Sequence, residues 1–178
     1  MTASFPGRDI YAAGARLVPF DFLQSLFIAE LVRPSARLWL SSPWISDVEV
    51  IDNSARQFSS LNPEWPARRI RLVEVLASLL DRGAAVVIIV NEDPHNDEFL
   101  ERMALLTEQH PGRVTLIRVA NIHEKGILGG YFTLNGSMNL TYNGFYINQE
   151  FLIYRTDPAV IAERRLTLEE HWKPWLSS

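Results

Sequence analysis

An α/β fold with a mixed, largely parallel β-sheet flanked by helices is what the sequence predicts, and three observations carry it. The run Ala84–Val90, "AAVVIIV", is short, β-branched and uniformly apolar, the pattern of a strand covered on both faces. Just before it, Leu72, Val75, Leu76, Leu79 and Leu80 recur at helical spacing and stop at Gly83, a natural residue to follow a helix end. Around these two, strand, helix, strand, helix and strand alternate, the order that builds parallel strands with helical crossovers.

The first element is "FDFLQSLFIAELVRPS", where Leu23, Leu26, Phe27 and Leu31 share a helical face. Asp21 is the expected N-cap, with Gln24 three residues on, and Pro34 stops the helix. "ARLWLSSPW" reads as the first strand. The stretch Arg56–Pro66, "RQFSSLNPEWP", has no periodicity and two prolines, and reads as a surface loop, one that could lie over a functional site. Arg56, Arg68, Arg69 and Arg71 lie in or next to it, as solvated loop and helix-start charges. After the Ala84–Val90 strand, Asp93-Pro94 offers an N-cap and an N1 proline for a helix running to about Gln109. "HPG" at His110–Gly112 closes that helix, and "RVTLIRVA" is the next strand. Two short strands then meet at Gly129-Gly130, expected to supply the positive φ values of a tight turn. The strand "QEFLIYR" and a helix from about Pro158 complete a single domain spanning residues 1–178.

Composition narrows the function classes. The chain has 178 residues, 47% apolar and 21% charged, with a net charge of −4, which argues against a surface coated for indiscriminate nucleic-acid binding. A local basic cleft stays open. Cysteine is absent, which removes disulfides, thiolate nucleophiles and cysteine-bound metals. The longest apolar run is too short to cross a bilayer. The N-terminal "MTASFPGRDIYAAGARL" has no basic segment followed by an apolar one, so a cytoplasmic location is expected and the Asn135 and Asn139 sequons carry no glycan.

The chemistry concentrates in "IHEKGILGGYFTLNGSMNLTYNGFYINQE", Ile122–Glu150. Residues two apart in a strand point to one face, so His123 and Lys125 are expected to project an imidazole and an ammonium side by side. A hairpin turning at Gly129-Gly130 returns Ser137 and Asn139 to the level of His123. Hydroxyl, amide and ammonium beside a histidine make an anion pocket suited to phosphate oxygens. Glu150, on the following strand, is placed to hold the imidazole in one tautomer. His95, in "EDPHNDE", invites a metal reading, but a helix start favours such acids electrostatically. His110 reads as structural, and the His-x-Lys at His171 has no Gly-Ser-x-Asn after it.

This ordered set resembles the phospholipase D superfamily, whose motif is His-x-Lys, four residues, Asp, a short gap and Gly-Ser-x-Asn, with a glutamate downstream. The match falls on His123, Lys125, Gly136, Ser137, Asn139 and Glu150. "LWLSSPWISD" and "LLDRGAAVVIIVNE" look like the family's early strand and its helix–Gly–strand unit. The departure is at Gly130, where the motif has its aspartate, and the gap before Gly136 is about one residue short. The resemblance implies phosphodiester hydrolysis or transfer without a metal or other cofactor. One histidine attacks phosphorus, a second protonates the leaving oxygen, and water then releases the phosphohistidine. On that analogy His123 is the nucleophile or acid/base. Lys125 and Asn139 bind phosphate oxygens with support from Ser137, and Glu150 orients His123. Two histidines are needed and one motif is present, so the resemblance implies a homodimer. Aromatic residues such as Trp39, Trp44, Tyr131, Phe132, Tyr142, Phe145 and Tyr146 serve the core or that interface.

The small chain looks more like the family's nucleases than its lipid hydrolases. Nucleic acid, DNA before RNA, is then the expected substrate, with no membrane partner and with a defence or DNA-modification setting as an association. The competing reading is a phospholipase D-like binding or assembly component that lost turnover with the aspartate, as part of a larger complex. A serine hydrolase built on Ser137 is disfavoured because no Gly-x-Ser-x-Gly elbow surrounds it.

Overall fold

The computed structural model describes residues 7–12 and 18–176. Part of the N-terminal stretch read for a leader, residues 1–6 and 13–17, lies outside them. The chain runs β1 (Gly7–Ala12), α1 (Val18–Val32), β2 (Arg37–Ser41), β3 (Glu49–Asp52), β4 (Arg69–Arg71), α2 (Leu72–Asp81) and β5 (Ala85–Asn91). A 3-10 turn at Pro94–Asn96 leads into α3 (Asp97–Gln109), β6 (Val114–Val119), β7 (Gly126–Leu128) and β8 (Thr133–Gly136). Then come α4 (Tyr142–Tyr146), β9 (Glu150–Arg155), α5 (Pro158–His171) and α6 (Lys173–Leu176). Among the described residues no helix is long and apolar enough to cross a membrane.

Seven strands form one sheet in the order β1-β9-β8-β7-β2-β5-β6, and β3 and β4 pair separately. The mixed sheet with flanking helices is as expected, but its balance is different. Among the described strands only the β2–β5 and β5–β6 pairs are parallel, and the long helices α2 and α3 lie in their connections. The β2–β7, β7–β8, β8–β9 and β9–β1 pairs are antiparallel.

The apolar run at β5 sits at the centre because both of its faces are covered. Val86, Ile88 and Val90 enter a core with Leu23, Phe27 and Leu31 of α1 and Val75, Leu76 and Leu79 of α2. Val87 and Ile89 enter a second core with Trp39, Ile161, Leu168 and Trp172. Adjacent residues therefore have equal reason to be apolar, each buried side chain contributing about 1.5–3 kcal/mol.

Several boundaries differ from the sequence reading. Helix α1 already runs from Val18, so Asp21 stands in its first turn rather than capping it, and the carbonyl of Asp21 accepts from Ser25 Oγ at 2.8 Å. Gln24 instead spends its Oε1 on the Asp52 amide, 2.6 Å away, tying α1 to β3. Asp93 does cap the next turn, through the His95 amide at 2.9 Å. The loop after β3 is pinned to α2: Asn62 Nδ2 donates to Ser78 Oγ at 2.9 Å, and Arg82 reaches the Leu61 carbonyl.

The β7–β8 turn is the main correction. Gly129 N–H donates to the Phe132 carbonyl at 3.0 Å, so residues 129–132 make the turn. Among the described glycines only Gly83 and Gly112 have positive φ. Space requires the first glycine: a Cβ on Gly129 would lie 2.5 Å from the Phe132 ring and 2.8 Å from Glu30 Oε1, whereas one on Gly130 would meet nothing nearer than Ser35 Oγ at 3.3 Å. Gly130 N–H donates to Ser35 Oγ at 2.5 Å, and Ser35 in turn is bound by the buried Glu30 carboxylate at 2.7 and 3.1 Å.

Candidate functional site

The parallel strands β2 and β5 end on the same edge, and the residues after them build a platform there. Ser42 Oγ donates to the Trp44 carbonyl at 2.6 Å and accepts the Leu140 amide at 3.1 Å. The same oxygen lies 3.5 Å from Asn139 Oδ1. Fully buried Asn96 holds the adjacent loop, accepting from the Ile45 amide at 2.8 Å and donating to the carbonyls of Pro43 and Asn91 at 3.0 and 2.9 Å. Asn91, the last residue of β5, accepts the Ile122 amide at 2.6 Å. That bond fixes where the chain leaves β6 and enters the His123 segment.

His123 and Lys125 do not stand on a strand. Residues 121–125 are irregular, because the route from β6 across to β7 passes the edge of the sheet before pairing begins. Pairing starts where the Gly136 amide donates to the Lys125 carbonyl at 3.2 Å, and the β7–β8 register continues with Gly126 opposite Asn135. Lys125 Nζ folds back to the His123 carbonyl at 3.1 Å, and the His123 ring is exposed. The Gly136–Lys125 bond sets the returning arm, which continues to Ser137 and Asn139, beside the segment that carries Lys125.

Glu150 is buried and opens β9. Its Oε2 accepts from Ser137 Oγ, and its Oε1 accepts from Asn148 Nδ2 at 3.1 Å. Ser137 is further clamped by a backbone pair with Phe151, its amide donating at 2.9 Å and its hydroxyl accepting at 3.0 Å. The glutamate expected to orient His123 therefore acts on the Gly136-Ser137 arm. Gly136 allows that close approach: a Cβ there would fall 2.0 Å from the Phe151 carbonyl oxygen.

Position 130, where the resembled motif carries aspartate, lies at the other end of the same strand pair. Gly126 is opposite Ser41, whereas Gly130 binds Ser35, which precedes β2, so the roughly 13 Å length of β2 separates them. The carboxylate at that turn comes instead from Glu30 on α1. Burial raises its pKa above the ordinary carboxylate value, and the two Ser35 hydrogen bonds pull the other way.

The remaining histidines have local roles. His95 Nε2 is 3.0 Å from Ser46 Oγ, His110 lies 3.5 Å from Asp81 as α3 closes, and His171 sits edge-on to Trp172. Of the aromatics, Trp39, Phe132 and Phe145 are core residues, while Trp44, Tyr131 and Tyr142 are exposed. Beside Leu140 opens a cavity of about 570 Å³ between β3–β4 and α4, which the sequence reading missed. It is lined by Ser46, Glu49, Arg69, Arg71, Tyr142 and Tyr146 among others. With Glu98, these residues come from four separate stretches, and no spacing in the chain links those stretches.

A mixed sheet with flanking helices, its His123-Lys125 segment bonded through the backbone to the Gly136-Ser137 arm, defines an α/β protein with polar residues grouped beyond one strand edge. The family model described as "Cardiolipin synthase, PLD-like domain" matches residues 47–172, and the chain belongs to this phospholipase D-like family. Solved structures agree on the fold. NucT from Helicobacter pylori is 14% identical, with a TM-score of 0.61 and 98% of each chain covered. Nuc from Salmonella typhimurium, a phospholipase D family member, is also 14% identical, with a TM-score of 0.61 and 98% and 95% covered. TrmBL2, an archaeal chromatin protein with a novel mode of DNA binding, is 13% identical at a TM-score of 0.53, over 94% of this chain and 52% of its own. No curated protein matches the chain.

Proposed function

We propose that the chain is a metal-independent phosphodiesterase acting on nucleic acid, with His123 as the attacking or proton-transferring group. The observation that carries this reading is the Lys125–Gly136 backbone bond. It joins the His-x-Lys segment to the Gly-Ser-x-Asn arm, so both halves of one motif share a single edge of the sheet. Nucleases among the structural neighbours, and a DNA-binding one, support nucleic acid as the ligand.

In this reading the phosphate sits against Lys125 Nζ and Asn139 Nδ2, which complement the charge that builds on its non-bridging oxygens. Ser42, at the carbonyl end of the Asn139 amide, leaves the NH₂ to donate to substrate. An imidazole nitrogen of His123 forms the bond to phosphorus as the bond to the leaving oxygen breaks, and a second imidazolium gives that oxygen its proton. Water, losing a proton to the second imidazole, then displaces His123 from phosphorus. The second imidazole is supplied by His123 of another copy, which makes the working unit a homodimer.

The binding-only alternative rested on the shortened turn and the aspartate lost with it. Gly130 lies at the far end of β2, beside a carboxylate supplied by Glu30, which supports the catalytic reading. The test is incubation of the protein with single- and double-stranded DNA, RNA and a simple phosphodiester in EDTA. Cleavage abolished by His123→Ala is the expected result. Nucleic-acid binding without cleavage of any substrate would favour the alternative.

A further inference from the structure

We infer that the cavity between β3–β4 and α4 is a nucleobase subsite, holding the base next to the phosphate bound at Asn139. The inference rests on the phosphodiester reading above and adds a recognition element to it.

Position comes first. Ser46 N–H donates to the Leu140 carbonyl at 2.8 Å, and Ile45 bridges to Leu140, so the cavity wall is bonded to the residue after Asn139. Tyr142 follows Asn139 by three residues, at most about 11 Å of chain. Thr141 caps α4 through the Gly144 amide at 3.3 Å, which fixes the direction in which that helix leaves the phosphate pocket.

Shape and chemistry agree with a planar heterocycle. Tyr142 and Tyr146 are four apart on α4, and their rings lie 4.9 Å apart at 37°, one wall of the slot. Tyr142 is 61% exposed, so its ring is accessible for a base to stack on. Tyr146 is anchored, its hydroxyl donating to the Glu49 carbonyl at 3.4 Å. The opposite wall carries both signs: Arg69 is 3.5 Å from Glu49, and Arg71 Nη1 binds the Asp47 carbonyl at 2.7 Å. A pocket for phosphate alone would be lined by cations. Guanidinium donors beside a carboxylate acceptor instead match the carbonyls and exocyclic amines on a base edge, and the tyrosine face supplies stacking. About 570 Å³ is room for a nucleoside-sized group.

The experiment is fluorescence anisotropy with a labelled single-stranded oligonucleotide and its abasic counterpart at one fixed salt concentration, on the wild type, Tyr142→Ala and Tyr142→Phe. The wild type is expected to bind the base-containing strand on the order of 5–100-fold more tightly. Tyr142→Ala is expected to bring that ratio near one, and Tyr142→Phe to retain it, because the phenyl face still stacks. Equal binding of both strands by the wild type, binding of neither, or an unchanged ratio in Tyr142→Ala would overturn the subsite. Hydrolysis of the abasic strand is followed in parallel and needs no base. Its His123-dependent cleavage without a base preference removes only the subsite; a base preference without any cleavage removes only the enzymatic reading.

Discussion

Ser42 shows how one hydroxyl can order a proposed site without touching the substrate. Its oxygen holds Leu140 N–H, the Trp44 carbonyl and the Asn139 side chain together. Ser42→Ala leaves the buried Leu140 amide without its acceptor, a cost of about 1–3 kcal/mol. The Asn139 amide is also freed to rotate. We expect thermal denaturation to show the stability loss and kcat to fall roughly tenfold with KM less affected, as for loss of transition-state positioning. Unchanged kcat in the folded variant would remove Ser42 from the positioning of Asn139. The residues that bind phosphate in the proposal were chosen from side-chain chemistry and spacing, which a sequence displays directly. Ser42, Asn91 and Asn96 were not, because their work is to satisfy backbone groups of segments distant in sequence. The contacts of Glu150, which go to Ser137 and Asn148, were not legible either.

At the scale of elements, the β7–β8 hairpin separates two demands that the sequence motif runs together. Its open end presents Lys125 and the Gly136-Ser137 arm, and its closed end is held by Glu30, Ser35 and Gly130. Restoring the motif residue by Gly130→Asp puts a second carboxylate beside Ser35 and Glu30. The expected outcome is lower stability with phosphodiesterase activity per folded molecule unchanged. A rise in activity would show that position 130 reaches the site after all. Glu30 also gives the hairpin a pH signature. Its folded pKa is raised by burial, so the folded state holds the proton more tightly than the unfolded chain. That contribution is complete below the ordinary glutamate value and is lost as pH rises through the raised folded value. Relative to Glu30→Gln, the wild type should therefore lose stability as pH climbs above about 4.5 and then level off, measured by denaturant midpoints. The parallel β2–β5–β6 unit was readable from hydrophobic period alone. Strands β1, β3 and β4 and the five-residue α4 were not, because short elements owe their existence to tertiary pairing rather than to local pattern.

For the whole molecule, the decisive feature is that each chain brings one motif histidine while the proposed reaction uses two. His95, His110 and His171 are committed to Ser46, to the end of α3 and to Trp172, which leaves His123 as the motif's one histidine. If the second imidazole comes from a partner copy, activity belongs to the pair and not to the chain. Mixing wild type with His123→Ala under conditions of subunit exchange then has a definite outcome. At a wild-type fraction f, random pairing gives f² fully competent dimers, so activity should fall with the square of f at constant total protein. A chain that works alone would give a line proportional to f. Sedimentation across the same concentrations should show a two-chain species, and dilution below its dissociation constant should lower specific activity in step with dissociation. A monomer that retains full activity on dilution would overturn the shared site and would require an acid within one chain. His95 would then be the first residue to substitute, since Ser46 ties it to the loop that carries Leu140.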